Sequence, residues 1–92
     1  MYVVVNHEIT DPSKFWPTAQ SATNSLPDGL KVIHTLSAID GTKAVCVWEA
    51  NSIDAVRNFL DPATKGMARN HYFASLNKEG FAMPTLSRAA GA

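Results

Sequence analysis

A chain of 92 residues is one small domain, since single hydrophobic cores usually organise roughly 100–150 residues apiece. Hydrophobic residues make up 46% and charged residues 17%, with eight Lys and Arg balancing eight Asp and Glu. That composition belongs to a globular protein, and its zero net charge supplies neither the attraction to phosphate of nucleic-acid binders nor the polybasic attraction to anionic lipid. So small a domain commonly needs a disulfide, a metal or a partner subunit, and the single cysteine, Cys46, removes an intrachain disulfide. That leaves self-association or a metal, and the small share of charged residues makes self-association the first expectation.

In chain order, Tyr2 to Ile9 is a β-branched run bounded by Asp11-Pro12 and reads as a first strand. Its opening lacks the basic and long apolar regions of a signal peptide, and no stretch approaches the roughly 18 apolar residues that span a bilayer. With a lone free thiol, a cytoplasmic location is expected.

Asp11 offers a helix cap with Pro12 at the first position, and Phe15, Ala19, Ala22 and Leu26 follow at helical spacing. Pro17 predicts that the regular helix begins near it, after a looser turn over 13–16. Leu30 to Ile39 and Thr42 to Ala50 are two extended runs around Asp40-Gly41, a pair suited to a type I′ hairpin turn. A two-residue turn sets His34 opposite Val47 and Thr35 opposite Cys46, with Glu49 diagonal to His34 and Val32 and Leu36 on the face of His34. Asn51 or Ser52 caps a second helix with the stripe Ile53, Val56, Phe59 and Leu60, interrupted by Asp61-Pro62. Asn70 to Leu76 reads as a fourth strand, ending a domain over 1–78 that is followed by a lightly ordered tail over 79–92.

The order strand, helix, strand, strand, helix, strand is the split βαβ arrangement of an α+β, ferredoxin-like domain with a four-stranded antiparallel sheet. Tyr2 to Val5 and Val45 to Trp48 place apolar groups on both faces of that sheet, whereas two helices cover one. A second copy of the sheet supplies the other cover, which predicts a homodimer.

On the element order, on Val4-Val5-Asn6 near the end of the first strand, and on Ala44-Val45-Cys46-Val47-Trp48-Glu49-Ala50 running into Ser52-Ile53-Asp54-Ala55-Val56, the chain resembles the dimeric α/β-barrel superfamily. That group includes antibiotic-biosynthesis-type and haem-degrading monooxygenases. The resemblance covers about residues 2–76. It implies two sheets packed face to face as a dimeric α/β barrel, and a small-molecule site between each sheet and its helices. Asn6 matches the first-strand asparagine of the haem-degrading branch. The tryptophan and haem-ligand histidine of that branch fall near Arg57 and Met67, with His71 a few residues late, so haem degradation fits poorly.

His7, His34 and His71 are the candidates for acid–base work or metal ligation. In a 4-1-3-2 sheet the end of the first strand adjoins the start of the fourth, bringing His7 and His71 within reach. Both also suit solvated strand ends. His34 is either a buried histidine satisfied by Glu49 or a site base oriented by it. Asn6 and His7 point to opposite faces, and the resemblance puts Asn6 in the sheet–helix cleft and His7 toward the barrel. Trp48, Trp16 and Tyr72 could line a binding site, with aromatic core as the alternative, and Cys46 reads as a small buried hydrophobe.

The resulting expectation is a dimeric small-molecule-binding protein, resembling cofactor-independent monooxygenases that act on a small aromatic or polyketide-like compound. His34 or His71 would be the base, Asn6 a catalytic partner, and Trp48, Trp16 and Tyr72 the substrate contacts. No cofactor is needed on this reading. The alternative is a non-catalytic binder of a metabolite or of nickel or zinc, with ligands drawn from His7, His34, His71 and Glu49.

Overall fold

The computed structural model describes residues 1–84, so residues 85–92 of the expected tail lie outside the described residues, and 79–84 carry neither helix nor strand. The elements are β1 (Tyr2–Ile9), α1 (Pro12–Thr23), β2 (Lys31–Ser37), β3 (Lys43–Glu49), α2 (Ile53–Ala63) and β4 (Ala68–Ser75). The strands form one antiparallel sheet in the order β2-β3-β1-β4, the ferredoxin-like α+β arrangement. No helix among the described residues is long and apolar enough to cross a membrane.

Helix α1 starts at Pro12 and runs through Pro17 instead of beginning at it. Its first turn is fixed independently of the lost Pro17 N–H. The Asp11 carboxylate accepts from the Lys14 N–H and the Ser13 hydroxyl, and Phe15 is buried. Helix α2 likewise continues through Pro62 to Ala63. The Ser52 hydroxyl caps its start by accepting from the Ala55 N–H at 3.1 Å. Because Pro62 falls in the last turn, little of the helix beyond it is left to disrupt.

The β2–β3 hairpin keeps His34 opposite Val47 and Thr35 opposite Cys46. Its turn differs from the expected one. Asp40 retains a negative φ, Gly41 alone takes a positive one (76°), and the Gly41 N–H donates to the Ala38 carbonyl. A type I′ turn needs positive φ at both central residues, so a wider turn forms in its place. An irregularity between Val32 and His34 also shifts the register by one. Val32 thereby pairs with Trp48 and faces the helices, while His34 and Leu36 stay on the other side of the sheet.

Alternation assigns the two faces. Val3, Val5, His7 and Ile9 of β1 and Ala44, Cys46 and Trp48 of β3 are buried under the helices. The open face carries Val4 and Asn6 of β1, Val45 and Val47 of β3, Leu36 of β2, and His71 and Phe73 of β4. The core is in two parts. Val3, Val5, Trp48, Val56 and Leu60 form the larger one, and Ile9, Phe15 and Ala44 the smaller one at the start of α1.

Candidate functional site

Between the two parts of the core lies a cleft of about 580 Å³, bounded by the sheet, α1 and α2. The side chains Ala19 and Ala22 of α1 and Ala63 of α2 leave the space open. Phe15, Trp16, Trp48 and Phe59 provide aromatic walls. The cleft lies within the size range of small-molecule sites, roughly 300–1,000 Å³, and is lined mainly by apolar groups with a few polar ones.

His7 is the titratable side chain of the cleft wall whose charge changes near neutral pH, and it is 3% exposed. Its ring lies 5.4 Å from that of Phe15, and its Nδ1 is 2.6 Å from the Asn70 side-chain oxygen. Burial holds the imidazole below its ordinary pKa, and the Asn70 hydrogen bond opposes this only in part, so the ring is neutral at pH 7. Among the described residues Nε2 has no hydrogen-bond partner.

Behind His7 a polar chain leads to α2. The Asn70 amide nitrogen donates to the Thr64 hydroxyl at 2.9 Å and to the Asp61 carboxylate at 3.2 Å. Thr64, itself buried, donates its proton to the Leu60 carbonyl at 2.8 Å. The Tyr72 hydroxyl donates to Asp61 at 2.6 Å, and the Arg57 guanidinium lies 5.1 Å from the Tyr72 ring centre. Burial, then the Asp61 carboxylate, pushes the Tyr72 phenol well above its usual pKa, so it remains a donor.

The resemblance is reversed at Asn6 and His7. His7 enters the cleft and Asn6 lies exposed on the open face, because Ile9, Val5 and Val3 set the buried phase of β1. His71 pairs with Asn6 and so shares its face, away from His7; its Nε2 lies 3.3 Å from Glu8. His34 also belongs to the open face with its side chain 41% exposed, and the carboxylate approaching it at 4.0 Å is Glu79, not Glu49. His34, His71 and Asn6 therefore do not meet one another in the cleft. The metal candidates are split in the same way, His7 on one face and His34, His71 and Glu49 on the other. No group of three or more potential metal ligands gathers among the described residues.

Trp48 and Trp16 do line the cleft. The Trp16 indole donates to the Gly41 carbonyl at 2.9 Å, tying α1 to the hairpin turn. Among the described residues, Trp48 Nε1 is the buried side-chain polar atom left without a partner. Tyr72 is on the cleft side of the sheet, but its hydroxyl is occupied by Asp61. Burial raises the Cys46 thiol pKa, against a weaker opposing contact from Thr35, which suits a small hydrophobe rather than a nucleophile. Sequence reasoning passed over Asn70, Thr64 and Asp61. The phase of β1 was a usable signal for His7, whereas nothing local marks a Thr at a helix end as the partner of an Asn on β4.

No family model, curated protein or solved structure matches the chain.

Proposed function

We propose that this chain binds a small, largely apolar molecule in the cleft between sheet and helices, and that His7 is the proton acceptor of the site. The observation that carries the reading is a neutral, buried imidazole on an apolar wall with one nitrogen bound and the other free. The unpartnered Trp48 Nε1 supports it, since a ligand acceptor there offsets the cost of a buried, unpaired N–H.

In its enzymatic form the reading is a cofactor-independent, monooxygenase-like reaction on a small aromatic or polyketide-like compound. A proton passes from a ligand hydroxyl or activated C–H to His7 Nε2, leaving a delocalised anion open to dioxygen or to rearrangement. The aromatic walls hold the ring system. The base assigned from the sequence, His34 or His71, is thereby replaced by His7.

The same reading includes a homodimer. Val4, Val45, Val47, Leu36 and Phe73 give the open face an apolar centre, with Leu36 68% and Phe73 50% exposed, as face-to-face packing of two sheets requires.

The test is calorimetric titration of the protein with 2-naphthol, a small aromatic hydroxyl compound. Saturable binding weakened about tenfold in His7→Leu, the equivalent of one hydrogen bond, is expected. Equal affinity in the variant, or no saturable binding by the wild type, contradicts the proposal.

A further inference from the structure

Hydrogen-bond accounting around His7 fixes more than its position. The Thr64 hydroxyl has one proton, and the Leu60 carbonyl takes it. Toward Asn70 that oxygen can therefore only accept. The Asp61 carboxylate, already accepting from Tyr72, likewise offers only lone pairs. Both face the same end of the Asn70 amide, at 2.9 and 3.2 Å, so that end is the NH₂ group and the oxygen points at His7. Turning the amide over would set oxygen against oxygen at both contacts. The atom facing the Asn70 oxygen at 2.6 Å is Nδ1, which must donate. A neutral imidazole has one N–H, so its other nitrogen carries a lone pair.

We infer that Asp61 and Thr64, acting through Asn70, hold the His7 proton on Nδ1, so that the cleft selects small apolar ligands bringing a hydroxyl or N–H donor over analogues without one. Asn70, Asp61 and Thr64 are positioning residues that act on the tautomer: Asn70 and Asp61 lie outside the cleft lining, and Thr64, which borders the cleft, has its hydroxyl proton held by the Leu60 carbonyl. A ring free in water favours the opposite form, with the proton on Nε2, which would turn the same cleft toward acceptors. The ligand preference rests on the proposed binding site; the tautomer does not.

Two measurements separate these. In ¹⁵N-labelled protein without ligand, two-bond proton–nitrogen correlation at pH 7.5 is expected to give a pyrrole-like Nδ1 and a pyridine-like Nε2 for His7. Asn70→Ala moves the pattern toward a protonated Nε2. The double variant Asp61→Ala with Thr64→Val, which keeps Asn70 but frees its amide, gives a mixture. A protonated Nε2 in the wild type overturns the inference outright, and an unchanged pattern in the double variant removes Asp61 and Thr64 from it.

For the ligand arm, the wild type is expected to prefer 2-naphthol over 2-methoxynaphthalene by about tenfold, one hydrogen bond, and Asn70→Ala to lose that preference while still binding the ether. Equal wild-type affinities overturn the selectivity. If neither compound binds, the binding-site proposal fails and takes the selectivity with it, while the nitrogen pattern still decides the relay.

Discussion

Burial of His7 makes the protein sensitive to acid in a predictable direction. Its folded pKa lies below the ordinary 6.5, so at pH below 6.5 the unfolded chain binds a proton that the folded one resists. The contribution of His7 to stability is therefore complete above about pH 6.5, declines as pH falls toward the lowered folded value, and is lost below it. Melting temperatures between pH 8 and 5 should fall more steeply in the wild type than in His7→Leu; parallel curves would show that the ring is not desolvated. At this scale the sequence was legible in phase but not in consequence. Ile9 inside and Glu8 outside already place His7 with Val5 and Val3, yet the resemblance favoured Asn6 and prevailed over that alternation. Asn70 could be seen only once β4 lay beside β1, because its partners sit six and nine residues away on another element.

The elements owe their ends to local chemistry that is mostly visible in the chain. Asp11-Pro12 and Ser52 start the two helices as capping predicts. Pro17 and Pro62 misled because one removed hydrogen bond does not end a helix whose first turn is capped and anchored by buried side chains. The hairpin register was readable from Asp40-Gly41, but its turn type and the irregularity near Val32 were not, since both depend on the twist of the finished sheet. Gly41 is the joint between these elements. It holds a positive φ, accepts the Trp16 indole, and leaves 3.1 Å between a notional Cβ and Trp16 Nε1. Gly41→Ala should thus lose about 1–2 kcal/mol in urea unfolding, from backbone strain. It should also loosen α1 at the cleft mouth. An unchanged midpoint would mean that the turn does not hold the helix.

Across the whole molecule, the element order and the two-faced strands of the sequence anticipated the ferredoxin-like sheet and its uncovered side. A site between sheet and helices was expected from the resemblance, with Trp16 and Trp48 among its walls, but nothing in the residues alone marked the cleft. Its α1 wall combines small Ala19 and Ala22 with large Phe15 and Trp16, a mixture that reads in the sequence only as a helix face. The open face generates its own prediction. Val47 lies at its centre, between His34 and Val4, so light scattering at micromolar concentration should give twice the chain mass for the wild type and a monomer for Val47→Lys. A monomeric wild type would remove the barrel from the proposal while leaving the cleft intact. The cleft chemistry is tested most directly at the His7 imidazole itself, by following its Nε2 resonance as 2-naphthol is added. The proposal predicts a saturable displacement of Nε2 as the ligand hydroxyl bonds to it; saturable binding that leaves Nε2 unmoved would contradict it.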